Sequence, residues 1–150
     1  MANERQYTSR RAGITTALAK KIGEIDGRGL YHQSIAETSP RLKFWDEVEE
    51  FPAVHLNAGG ETREYQTGGY KDRFLNVTVR CYVNQEDSVT ALDELLEDVE
   101  TVIEENGRLQ YFDRNGLEQH TQQITIVSID TDEGVLDPLG VGEILIEVRY

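Results

Sequence analysis

The chain has 150 residues, 38% of them hydrophobic, which fits one ordinary domain with a real core and excludes wholesale disorder. Its longest apolar runs fall far short of the ~20 residues of a membrane-spanning helix, and Met-Ala-Asn-Glu-Arg lacks the apolar centre of a signal peptide. The single cysteine, Cys81, rules out an internal disulfide framework and suits a reducing compartment, while a formal net charge of −13 argues against a basic nucleic-acid binder.

The first element reads as a helix. Ile14, Leu18, Ile22 and Ile25 recur at three- and four-residue spacing, Thr8 or Ser9 caps the start, and Gly27 followed by Gly29 ends it. Its other face carries Arg10, Arg11, Lys20 and Lys21, the most basic patch of the chain, which serves either solvation or a contact. Pro40 and Pro52 bracket a segment in which Arg41 to Glu50 reads as a short helix holding Phe44, Trp45 and Val48. Ala53 to Asn57 reads as a short strand. Residues 58 to 70 then place Gly59-Gly60 and Gly68-Gly69 around a polar stretch, the pattern of a long, mobile hairpin connection. In the next strand Leu75, Val77, Val79, Cys81 and Val83 alternate with Phe74, Asn76, Thr78, Arg80 and Tyr82.

A second helix runs from Asp87 and Ser88 to Asn106-Gly107, with Val89, Leu92, Leu95, Leu96, Val99, Val102 and Ile103 on one stripe. Asp93, Glu94, Glu97, Asp98, Glu100, Glu104 and Glu105 occupy the remainder, with no lysine or arginine between Arg80 and Arg108. Such carboxylates repel one another without i,i+4 lysines to offset them, so the acidity is tolerated or wanted. Residues 106 to 116 read as turns. Gln123 to Asp130 and Gly142 to Tyr150 read as strands, joined by a loop from Thr131 to Gly140. The order helix, strand, strand, helix, strand, strand predicts a single α+β domain. It would hold a mainly antiparallel sheet of about four strands with helices packed on one face.

Chemistry is sparse. His32, His55 and His120 share no ligand spacing. Asp130, Asp132 and Glu133 form either an acidic turn or a cation site, the basis of a small metal-assisted enzyme as the remote alternative. Gly140-Val141-Gly142 has no third glycine and no helix after it, and Cys81 lies mid-strand as a small hydrophobe. No catalytic constellation and no cofactor are expected.

One ordered pattern stands out. Phe51-Pro52-Ala53-Val54 leads through the Gly-Gly hairpin to Tyr70, Arg73-Phe74-Leu75 and Val79-Arg80-Cys81-Tyr82-Val83, then to an acidic helix from Glu86-Asp87. Thr131-Asp132-Glu133-Gly134, Pro138-Leu139-Gly140 and Glu147-Val148-Arg149-Tyr150 follow. This order resembles the tail terminator, or tail completion, proteins of tailed bacteriophages. The resemblance implies a non-enzymatic virion protein, assembled in the host cytoplasm. Six copies would form a ring capping the head-proximal end of the tail tube, ending its polymerisation and offering the neck a docking face. Its partners would be further copies of itself, the tube protein, a neck or connector protein and, in contractile tails, the sheath, with DNA passing through unbound. By that analogy Arg63, Tyr65 and Tyr70 on the hairpin are candidate contacts to a neighbour or the tube. Lys20 and Lys21 are candidates to meet acidic surfaces of a neighbour, and Glu97, Asp98, Glu104 and Glu105 to line a channel that repels phosphate. Another neck or connector adaptor is the alternative within the virion.

Overall fold

A computed structural model describes residues 9–150. Helix α1 (Arg10–Gly23) starts at Ser9, whose hydroxyl oxygen accepts from the Ala12 N–H at 3.2 Å; Thr8 lies outside the described residues. The helix stops at Gly23, before Gly27 and Gly29, and buries Ile14, Leu18 and Ile22. Lys20 and Lys21 fill its last turn, where cations suit the carbonyl end of the helix dipole.

Strands β1 (Glu37–Ser39), β2 (Ala53–Tyr65), β3 (Lys71–Asn84), β6 (Gln123–Thr131) and β7 (Leu139–Arg149) make one sheet in the order β1-β2-β3-β7-β6. Only β1 pairs in parallel. β4 (Gln110–Phe112) and β5 (Glu118–His120) form a separate hairpin, closed by the Asp113 carboxylate, which accepts from the N–H groups of Asn115 and Leu117. The α+β architecture with both helices on one face is as the sequence indicates, with five mixed strands and a small second sheet in place of about four strands.

Helix α2 (Ser88–Glu105) lies over β3 and β7. Asp87 caps it, accepting from the Thr90 N–H at 3.2 Å. Leu92, Leu95, Val99 and Ile103 meet Val77, Val79, Ile144 and Ile146 of the sheet in the same core as the α1 stripe. Val89, expected on that stripe, is half exposed at the helix start. Cys81 is fully buried, and burial pushes its thiol up to about 12, so it behaves as a core hydrophobe.

Two segments differ from the sequence reading. Residues 41–50 form no helix: one turn spans 45–47, closed by the Glu47 N–H on Phe44 O at 2.9 Å. The Glu47 carboxylate accepts from the Phe44 N–H, and the Tyr82 hydroxyl holds Lys43 O, so the backbone groups a helix would use are engaged elsewhere. Val48 is buried against Ala53 and Tyr82, whereas Phe44 and Trp45 stay exposed. Nor is 58–70 all connection. β2 and β3 pair out to Tyr65↔Lys71, with the register shift falling between Ala58 and Glu61, across Gly59-Gly60. Only 66–70 turn, with Gly68 and Gly69 at φ 86° and 83°, a region open to glycine at no steric cost.

Candidate interaction surfaces

The β2–β3 hairpin outruns its neighbours. β7 pairs with β3 only as far as Phe74↔Arg149, and β1 reaches no further than His55 on β2. The arm beyond projects roughly 10–15 Å at ~3.4 Å per strand residue. Its root is held firmly. The Glu61 carboxylate accepts from the Tyr150 hydroxyl and from Arg63 Nε at 2.8 Å, and the Arg11 guanidinium donates to Gly59 O. Burial works to raise the Glu61 carboxyl, but those two bonds outweigh it and hold the group below its ordinary value. The Tyr150 ring sits between cations, 4.9 Å from the Arg10 guanidinium carbon and 5.5 Å from that of Arg73. Arg149 pairs with Asp72 at 3.0 Å. The tip is the reverse: Tyr65 and Tyr70 are 74% and 75% exposed, on either side of the turn. Of the three expected hairpin contacts, Arg63 is thus tied back to its own arm and the two tyrosines stand free of the core.

Lys20 and Lys21 line a groove of about 530 Å³ between α1 and β4, together with Glu24, Tyr111, Phe112 and Asp113. Lys21 and Glu105 also line a smaller groove of about 330 Å³ beside Tyr31, so the fold brings the ends of α1 and α2 together.

The acidic side of α2 divides in two. Asp98 is 1% exposed, and its carboxylate accepts from the N–H groups of His32 (2.9 and 3.1 Å) and Gln33 (2.8 Å). Gln33 Nε2 donates to Glu94 at 2.7 Å, and His32 Nε2 lies 3.3 Å from Glu97. Asp98 is therefore corrected from a channel-facing carboxylate to an internal anchor for the segment after α1. Glu97, Glu104 and Glu105 remain exposed.

Asp130, Asp132 and Glu133 do not converge. Asp132 spends both oxygens on the turn, accepting from Leu136 N–H at 3.1 Å and Val141 N–H at 3.2 Å. Among the described residues no three His, Cys, Asp or Glu side chains stand together as a metal site would require.

Periodicity and spacing miss one cluster. His55 is fully buried on β2, with Nε2 2.6 Å from Glu37 Oε2 and Nδ1 2.7 Å from Ser39 Oγ. Serine, histidine and glutamate in series suggest an activated nucleophile. Here the imidazole is enclosed and the Ser39 hydroxyl also lies 2.8 Å from Arg41 O, so the group clamps β1 onto β2. Burial depresses His55 below 6.5, against a smaller opposing effect of Glu37. Burial also works to raise Glu37, but the bonds from His55 and the Glu49 N–H bring it below 4.5. Both depressed groups give stability that is complete above their unfolded values. Below pH 6.5 the unfolded chain takes up the His55 proton first, and the Glu37 contribution follows below 4.5, so the fold weakens as pH falls through both ranges. Exposed His32, raised by its bond to Glu97, acts in the opposite sense. An NMR titration of the imidazoles should place His55 below 6.5 and His32 above it; the reverse order would remove the desolvated clamp.

The sheet face away from the helices is mostly polar in its middle. Asn76, Thr78 and Arg80 of β3 run beside Glu143, Leu145 and Glu147 of β7, with Arg80 paired to Glu143 at 3.1 Å.

Comparison with known proteins adds three findings. Residues 8–150 match the family described as Bacteriophage Tail Tube Terminator Protein. The chain is 30% identical over 149 residues to the tail tube terminator protein p142 of Escherichia phage T5, covering 93% of this chain and 92% of that one. In fold it is similar to a chain in the virion of a native gene transfer agent particle, with a TM-score of 0.56 at 8% identity, covering 95% of this chain and 98% of the other.

Proposed function

Because the chain belongs to the bacteriophage tail tube terminator family, and so is a tail-terminating structural protein of the virion, we propose that six copies close into a ring on the head-proximal end of the tail tube. The ring ends tube polymerisation and offers its other face to the neck; it performs no catalysis. The match across residues 8–150 carries this reading. A ring needs two different, complementary faces on each subunit. The projecting arm with Tyr65 and Tyr70, and the basic groove with Lys20 and Lys21, supply candidate surfaces of unlike chemistry. Glu97, Glu104 and Glu105 on α2 line the channel, where carboxylates without lysine repel passing phosphate and keep DNA from sticking. Asp98 takes no part in that lining.

The test is tube length. Purified tube protein polymerised with the chain should give tubes that stop short, each with a six-fold cap at one end in electron micrographs. Tubes of unchanged length without a cap would overturn the reading and favour a neck adaptor, which binds on the portal side. Within the capping assay, Lys20→Glu/Lys21→Glu should weaken assembly without unfolding the subunit, and unchanged assembly would remove these lysines from the interface. A ring structure with α2 on its outer wall would remove the acidic lining.

A further inference from the structure

The five-stranded sheet has a long open edge on each side. β6 is the outer strand beyond β7, and its nine residues pair with β7 alone. On the other side β1 covers β2 only at Ala53, Val54 and His55, so residues 57–65 form a second edge of the same length. Among the described residues neither stretch makes a backbone–backbone hydrogen bond on its outer side, and Gly59 O is met only by the Arg11 side chain. An exposed edge is a row of unpaired N–H and C=O groups, which monomeric proteins blunt with shortness, lysine or proline. β1 is blunted by its three residues. β6 has no lysine and no proline, only Asp130 as a charge and one irregularity between Ile126 and Ser128. It also holds Val127 and Ile129 in water, 55% and 40% exposed. The outer arm is a two-stranded ribbon, a form that is marginal in water without a third strand. We infer that β6 of one subunit pairs, antiparallel, with the outer edge of β2 in the next copy, so that one sheet runs on from subunit to subunit.

Topology names the occupant. A strand edge is satisfied by another strand edge, and among the described residues the other long open one belongs to β2. The two lie on opposite sides of one sheet, so the chain cannot join them to each other. Three antiparallel pairings in succession run β6 opposite to β2. Copies sharing one orientation in a ring therefore bring these edges together antiparallel, the better-bonded arrangement. Height agrees as well. Thr62 is level with Gln123 through Phe74 and Arg149, and Asn57 with Ser128 through Thr78 and Leu145. Residues 57–62 thus stand opposite 128–123 with no shift along the strand. The faces match too: Glu61 and Ile124 pair with core residues Leu75 and Val148, which puts both on the helix side. Asp130 is level with His55, clear of the stretch that pairs. A symmetric β6-to-β6 contact would leave the β2 edge open. The head-to-tail contact uses both edges, and it is the kind that closes into a ring when the rotation allows. The inference rests on the ring reading and adds which surfaces meet.

Cross-linking tests it. Thr62→Cys and Thr125→Cys are both at exposed positions, and buried Cys81 stays silent with its thiol at about 12. The two single variants, mixed, assembled and treated with a short bismaleimide, should give 62-to-125 links between chains. Each variant alone should stay at background. Val127→Lys puts a charge on the β6 edge at an exposed position, and should abolish the link and the ring while the monomer melts where it did. Amide exchange in 57–65 and 123–131 should slow together as rings form. Rings seen by native mass spectrometry or on tube ends without the 62-to-125 link overturn the inference and leave the ring intact. Links from 125 to 125 in the Thr125→Cys variant alone mean that β6 pairs with itself, and also overturn it. Rings that survive Val127→Lys do the same. A chain that remains monomeric both in solution and on tube ends overturns the ring reading, and the sheet contact with it.

Discussion

Replacing Asp98 with alanine should cost the fold about 2–4 kcal/mol, because it strands two backbone donors around a vacated site. The carboxylate is 1% exposed and bridges α2 to residues 32–33, more than sixty positions earlier in the chain. Each N–H left without a partner costs ~1–3 kcal/mol, and partial exposure of His32 and Gln33 lets water recover part of it. Asp98→Asn keeps one acceptor oxygen and should lose less. Glu97→Gln, one residue away and solvent-facing, should leave the denaturation midpoint where it is. Equal midpoints for Asp98→Ala and Glu97→Gln in urea would show that the segment after α1 holds without its anchor. Hydrogen exchange should report the loss first at the amides of residues 32 and 33.

That anchor also answers what the acidic helix is for. Read alone, a lysine-free row of carboxylates looks like self-repulsion that function must justify. In the fold, Glu94, Glu97 and Asp98 are engaged by Gln33 and His32, so part of the acidity is structural. The sequence shows that offsetting lysines are missing; it cannot show that backbone amides replace them, because N–H groups carry no residue signature. Of the carboxylates expected to line a channel, Glu104 and Glu105 are exposed and outside that cluster, and Glu97 is exposed while also meeting His32.

The same distinction runs through the elements. α1, α2, β3 and β7 were legible because each buries one face, and burial imprints a period on the residues. β1, β4 and β5 have three residues each, too few to show one. The outer arm of β2 and β3 is exposed on both faces, so no alternation marks it as strand and its glycines read as loop. Phe44, Trp45 and Val48 have helical spacing, yet only Val48 is buried, and a segment with one anchor has no reason to become a helix. The His55 clamp was hidden because Glu37 and Ser39 are brought to it by parallel pairing across a long connection. Tyr65 and Tyr70 were singled out by the family resemblance rather than by any period, and the structure leaves both exposed.

Gly140→Val should destabilise the subunit by about 1–3 kcal/mol through overpacking. A Cβ at Gly140 would stand 2.7 Å from Val83 Cγ2 and 3.2 Å from the Ser88 carbonyl oxygen. Val83 is fully buried and stiff at χ1, and the Ser88 oxygen belongs to the first turn of α2, so neither yields cheaply. Gly142 does the same one turn further along, where a Cβ would meet Leu96 and Leu92 at 3.0 and 3.1 Å. The Gly-Val-Gly run is therefore explained by the close approach of α2 to β7. Lifting the start of α2 would also pull Ser88 from Asp137, whose carboxylate accepts its hydroxyl at 2.5 Å. Gly60→Ala, where no atom lies within 4 Å of the added carbon, is the matched control. Thermal melts should separate the two variants by several degrees, and coincident melts would show that the sheet absorbs the side chain. If α2 lines the channel, Gly140→Val should also impair tube capping at temperatures where the subunit is still folded, because a shifted helix changes the surface every neighbour must match.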